Sequence, residues 1–377
     1  MRITVAGALA ALAALALLAP AAGAAQSGAY VATLGRDTVA VESYTWAPGS
    51  LTGTSVVRTP RTLVRSYEMT QAPDGTPQRF HMMARRPDGV VMQEVTYDYS
   101  QDDSVLVTIK RDTLTRRFAV AARGRPNPFF EDMFAPWGAV VRRATGDSTV
   151  LVAGRQTLKF GVARTPGASR FTWPQWGTAV VQTDARGNVT GLDFTGTTTK
   201  FVVTRVGSVD VQKLAASFAA REQSGAGLGE LSPRDTARAE VGGAHVLVDY
   251  SRPSARGRTI FGGIVPWGQV WRTGANAATQ LVTDRDLDIG GAAVPAGTYT
   301  LWTIPGPTGW TLVINKQHGQ WGTVYDPAQD LARVDLATAA LPQPVERFTF
   351  EIVPAANGGT LAYAWGDTRA VVPFKVK

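Results

Sequence analysis

The sequence predicts an all-β protein: an N-terminal antiparallel β meander, either a sandwich or an open barrel, followed by a C-terminal β-sandwich. Three observations lead there. Short segments alternating apolar and polar residues recur along the chain, turn signals rich in Gly, Pro, Asn and Asp separate them, and a single stretch adopts a helical period instead. In the first half the alternating segments are TVAVESYT (38–45), SVVRTPRTLVRSYEM (55–69), RFHMMAR (79–85), VVMQEVTY (90–97), SVLVTIK (104–110), TLKFGVA (157–163), TAVVQT (178–183) and KFVVTRV (200–206). Turns such as Pro73-Asp74-Gly75, Pro87-Asp88-Gly89 and Arg186-Gly187-Asn188 fall between them.

The interruptions are as informative as the strands. The run RGRPNPFFEDMF (123–134) fits no strand and reads as a long loop or short helix with exposed aromatics. Residues 208–222 place Val211, Leu214, Ala215 and Phe218 on one helical face, with Ser208 positioned to cap the start. The Gly-, Ser- and Pro-rich run EQSGAGLGELSPRD (222–235) reads as a linker without an apolar face. These breaks divide the chain into a basic β domain with a terminal helix (26–221), a linker (222–236) and a β-sandwich (237–377). The latter carries strand patterns at 244–250, 279–289, 298–304 and 310–315, then apolar faces Phe348/Phe350/Ile352 and Leu361/Tyr363/Trp365, then a last strand at 371–376.

Ahead of all this, residues 1–25 have the form of a signal peptide: Arg2, an apolar run from Val5 to Ala19, Pro20, then small residues. Cleavage before Ala25 or Gln26 is expected, and no cysteine follows to take a lipid anchor. The mature chain is therefore expected in the periplasm or secreted, with no transmembrane segment. The chain has no cysteine, which excludes disulfides, thiolate chemistry and cysteine-held metals. Its +8 formal charge is uneven: residues 26–220 hold 23 Lys+Arg against 16 Asp+Glu, and residues 221–377 hold 14 of each. A basic exported half suits an envelope polysaccharide, a lipid headgroup or another anionic partner. The export signal and the lack of any reader motif argue against nucleic acid.

The C-terminal half also carries a series of motifs in order: YSRPSARGR (250–258), IFGGIVPWGQVWRTGANAAT (260–279), VPAGTYTLWTIPG (294–306), WTLVINK (310–316) and QWGTVYDPAQDLARV (320–334). In these it resembles the domain-of-unknown-function 2911 family, over about 237–377. The resemblance implies no particular activity. It does imply an acidic residue in the segment where this chain has Ala277, so any chemistry resting on that carboxylate is absent here.

Within those motifs, WRTGAN (271–276) offers the strongest candidate site. Arg272 supplies a planar donor fork, and Asn276 supplies both a donor and an acceptor, separated by three small residues. Trp271, Trp302 and Trp321 are the indoles that could stack a ligand beside them, and His318 sits in a Gly-flanked turn nearby. No catalytic residue, metal site or cofactor is expected. H-E-x-x-H and G-x-S-x-G are absent, and Asp284, Asp286 and Asp288 lack the Gly and twelfth-position acid of a calcium loop, reading instead as one solvated strand face. The expected function is thus ligand binding or assembly by the C-terminal half, the ligand a glycan or a small acid. Two rivals stand beside it. One is a glycan hydrolase using carboxylates such as Asp249, Asp326 or Asp330; the other is a lipid or apolar-ligand carrier built by the N-terminal half.

Overall fold

The structure is a computed structural model and describes residues 25–377. All of the expected leader except Ala25 lies outside the described residues. The chain is all-β, in two sheets of 15 and 9 strands.

The larger sheet is a meander. Eight strands from Gln26–Leu34 to Leu114–Ala121 neighbour one another in chain order. On the other side of Gln26–Leu34 lies Val202–Val206, in antiparallel register from Ala29↔Val206 to Thr33↔Val202. From there the strands run back through Gln156–Thr165 and Ser148–Ala153 to the short edge strand Asn127–Pro128. The far edge, Leu114–Ala121, comes alongside Gln156–Thr165 without hydrogen-bonding to it. One curled, unclosed sheet results, nearer to an open barrel than to a two-layer sandwich. Its inward side chains, among them Leu51, Met69, Phe80, Phe160 and Phe171, form one core.

The run 123–134 fills that curl. Phe129, Met133 and Phe134 are buried, and helix α1 (Trp137–Arg143) follows directly, with Trp137 stacked on Trp176 at 6.4 Å. The aromatics expected at the surface are core filler, because a sheet curled on itself encloses a space its own side chains do not fill. Glu42 anchors this plug. Wholly buried, it accepts the Tyr67 hydroxyl proton and the backbone N–H groups of Phe134 (2.6 Å) and Ala135 (3.2 Å). Desolvation pushes its carboxyl up to about 7, although those three hydrogen bonds pull the other way.

Helix α2 (Val211–Gln223) packs Val211, Ala215 and Phe218 against Val41 and Val56. Its cap is Asp210, whose side chain accepts from Lys213 N at 2.9 Å, not Ser208; the helix begins two residues later than the pattern indicates. The segment after it is not featureless, since Leu228 and Leu231 pack on the first core.

The smaller sheet folds over its own core through one long strand. Asp330–Ala355 pairs with Trp310–Asn315 up to Leu336, then with Gly358–Val376. Register shifts between Ala340 and Thr349 mark its bend. The enclosed core includes Val248, Leu281, Leu301, Phe348, Tyr363 and Trp365. Asp284, Asp286 and Asp288 do not share a strand face, because the chain bends between Thr279–Thr283 and Leu287–Ile289. Each carboxylate instead accepts a backbone N–H, from His245, Ala296 and Gly291 respectively.

The two sheets touch where Arg36 N donates to the Arg256 carbonyl (3.0 Å) and Arg256 pairs with Asp37 (2.5 Å). Gly35 makes this approach possible. Its φ is +58°, and a Cβ there would lie 2.2 Å from the Arg256 oxygen.

Candidate functional site

Beside this contact lies a cleft of about 750 Å³ between the two sheets. The larger sheet contributes Leu34, Val39, Val57, Phe201 and Lys200, with Glu131 and Asp132 from the plug. The smaller contributes Arg256, Arg258, Ile264, Trp271, Arg272 and Trp365, and Trp321 closes one end. One wall is thus aliphatic and another carries cations.

Those cations are placed by irregular backbone. Arg256 has φ +52° and Lys200 φ +62°, in turns leaving Ala244–Ser251 and approaching Val202–Val206. Arg272 follows the isolated bridge of Trp271 to Thr303, and Thr273 and Asn276 both have positive φ, so WRTGAN is a tight knot. The small residues Thr273, Gly274 and Ala275 occupy its turn, but Arg272 and Asn276 leave it for different partners, the carbonyls of Gly322 and Ser232.

The charges in the cleft are unevenly matched. Asp132 is spent on Arg65 (2.5 Å) and Arg256 on Asp37. Among the described residues Arg258 reaches only the carbonyls of Ala255 (3.0 Å) and Ser254 (2.8 Å), and Lys200 only that of Thr195 (2.8 Å). Arg272 makes one hydrogen bond among the described residues, from Nη1 to the Gly322 carbonyl at 3.1 Å. Gly322 packs directly on its side chain; a Cβ there would lie 1.9 Å from Arg272 Cδ. Desolvation alone lowers the Arg272 guanidinium to about 10. Desolvation also lowers Arg258 to about 10, with repulsion from Arg256 adding to it. Lys200 is lowered by desolvation first, then by repulsion from Arg272 and Arg258. Glu131 has no ion-pair partner among the described residues, and desolvation followed by repulsion from Asp132 pushes it up to about 7.

In residues lining this cleft, three buried donors find no acceptor among the described residues: Nε of Arg256, Nε of Arg272 and Nε1 of Trp365. Buried donors are rarely left so. Those three atoms are enclosed by protein, so the cleft's bid for a ligand rests on its cations: a molecule carrying negative charge would answer Arg272, Arg258 and Lys200, which have no carboxylate partner among the described residues.

Of the six residues singled out from sequence, Trp271, Arg272, Asn276 and Trp321 line the cleft. Arg272 is half-buried and Asn276 exposed, with Asn276 Nδ2 reaching the Ser232 carbonyl at 3.3 Å rather than Arg272. Trp271 stacks on Trp365 at 5.9 Å, its indole N–H given to the Gly274 carbonyl at 2.9 Å. Trp302 lies elsewhere, buried with Ala278 and Val313 and donating to Thr300 Oγ1 at 3.0 Å. His318 is exposed and is not among the cleft residues. The arginines of YSRPSARGR, Lys200 and Glu131 went unnoticed in the sequence. Arg252, Arg256 and Arg258 within seven residues of a β domain were the available signal.

Residues 232–374 match the family described as "Protein of unknown function (DUF2911)"; the segment starts inside the run 222–236. No curated protein matches the chain. A solved structure from Nitrosomonas europaea, provisionally described as an AttH, is 10% identical over 93% of this chain and 92% of its own, with a TM-score of 0.12. At that score it carries no weight for fold or function.

Proposed function

We propose that this chain is an exported binding protein, periplasmic or secreted, whose cleft between the two sheets takes a small organic anion. The observation that carries the reading is Arg272: desolvated, lining the cleft, and without a carboxylate partner among the described residues. A desolvated guanidinium kept without a counter-ion is costly, which favours a site completed by its ligand. Lys200 and Arg258 would share the acid group, the aliphatic wall of Val39, Val57 and Ile264 would take an apolar body, and Trp321 could stack against it. A small acid fits this lining better than a neutral glycan does.

The rival readings find less support. Asp249 is paired with Arg234 (2.6 Å), Asp326 caps a turn at Ala328, and Asp330 is held by Arg333 and Tyr325, each away from the cleft. A carrier built by the N-terminal half would need an open interior, where Phe129, Phe134 and Trp137 are packed.

The test is a panel of organic acids and their neutral amides, read by quenching of tryptophan fluorescence and by calorimetry. Acids should bind and amides should not, and Arg272→Gln should weaken binding at least tenfold. Equal binding of acids and amides, or full affinity in Arg272→Gln, would reject the reading. The N-terminus of protein recovered from the periplasm or medium should be Ala25 or Gln26; a chain retained with Met1 would reject export.

A further inference from the structure

The free edge of the larger sheet bears an unexplained apolar surface. Strands Pro77–Arg85, Val91–Asp98, Ser104–Arg111 and Leu114–Ala121 are consecutive neighbours. The chain reversals at 86–90 and 112–113 therefore emerge at the same end of the sheet, about 10 Å apart at ordinary strand spacing. The first is a turn in which Gly89 has φ +90° and Asp88 accepts from Val90 N at 3.1 Å. The second turns on Asp112 at φ +48°.

Four large aliphatic side chains stand in water on these tips: Val90 (46% exposed), Val91 (46%), Met92 (38%) and Leu114 (53%). The register sets the two hairpins side by side, since Glu94 of the first opposes Lys110 of the second, and Arg111 opposes Leu114 across the second turn. Single exposed aliphatics are ordinary, but four on two adjacent tips are a patch.

Charge says what the patch meets. Arg85, Arg86, Lys110, Arg111, Arg116 and Arg117 surround it, against Asp88, Glu94 and Asp112. Arg86 pairs with Asp88 (3.4 Å) and Lys110 with Glu94 (3.0 Å), whereas Arg111, Arg116 and Arg117 have no carboxylate partner among the described residues. Aliphatic tips ringed by unpaired cations match a bilayer interface, where acyl chains take the former and anionic headgroups the latter. We propose that these two hairpin tips form a docking surface for an anionic lipid bilayer. The surface is distinct from the cleft, and no residue is shared between them.

The experiment is flotation of the chain from Ala25 onward with vesicles of phosphatidylcholine alone or mixed with phosphatidylglycerol, at low and at 0.5 M salt. Binding should need phosphatidylglycerol and fall steeply with salt. Leu114→Ser with Val90→Ser, which leaves the charge unchanged, should cut binding at least tenfold. Arg116→Gln with Arg117→Gln should cut it roughly 30-fold, about fivefold per cation. These positions are exposed, so circular dichroism and melting should be unchanged, and organic-acid binding in the cleft should persist in both variants. Lack of binding to phosphatidylglycerol vesicles at low salt would overturn the proposal. So would binding that Leu114→Ser with Val90→Ser leaves intact, or equal competition by a soluble polyanion, since either would mark a purely electrostatic polysaccharide site.

Discussion

Replacing Arg272 by Met should stabilise the empty protein while abolishing its binding of organic acids. Desolvation lowers the guanidinium by more than two pH units, to about 10. At pH 7 the group is charged in both folded and unfolded chains, so folding bears the whole penalty, roughly 3 kcal/mol at about 1.4 kcal/mol per pH unit. The hydrogen bond to Gly322 offsets about 1 kcal/mol of this. Met keeps a similar length and the packing against Gly322, so the net gain is about 2 kcal/mol. The penalty would fade only as pH rises above about 10. The assay is urea unfolding at pH 7 followed by tryptophan fluorescence, without and with a saturating acid. The midpoint of Arg272→Met should lie above that of the parent without ligand and below it with ligand. A lower midpoint without ligand would show that the arginine serves the fold through its carbonyl contact, and the reasoning about the cleft would fail with it.

Three further outcomes are expected. Glu42 titrates near 7 when folded against 4.5 when unfolded, so its contribution favours folding below 4.5 and is lost as pH rises through 7, about 3 kcal/mol in all; unfolding free energies from pH 4.5 to 8 should show a shallower decline in Glu42→Gln, and an unchanged slope would refute this. Gly35→Ala places a Cβ 2.2 Å from the Arg256 oxygen at a left-handed φ, so it should loosen the contact between the sheets, cost about 1–3 kcal/mol and weaken acid binding; parental melting and affinity would contradict the contact's role. Limited proteolysis should cut first at 224–227, just before the anchored Leu228, and leave two protected fragments; earlier cleavage at 123–130 would place the weak point in the plug instead.

The strands were legible because alternation and turn chemistry are local properties. The turns at 73–75, 87–89 and 186–188 all separate strands in the structure, and WRTGAN is the knot its small residues suggest. What the sequence hid was tertiary. Nothing local says that Phe129 and Phe134 fill the curl of a sheet or that Glu42, on an ordinary strand, holds them there. Lys200 and Arg258 could not be grouped with Arg272 because their proximity exists only once the two sheets meet. Trp302 illustrates the opposite error: alternation set it opposite Tyr299 and Leu301, but that face too is covered, by Val313 and Tyr325.

The pairing of Gln26–Leu34 with Val202–Val206 has a consequence for how the molecule is made. Every other antiparallel pair of the larger sheet joins strands adjacent in the chain and can form as soon as both are synthesised. Gln26–Leu34, holding Tyr30, Val31 and Leu34, must wait with one edge bare until nearly the whole sheet has appeared. For that interval it is a template for any passing strand, its own copies included. Closing so long a loop is also the slow step of such a topology. Folding rate, and the tendency of the nascent chain to aggregate, should therefore respond most to changes in this single strand pair, and assistance from a chaperone would be most useful before residue 206 emerges.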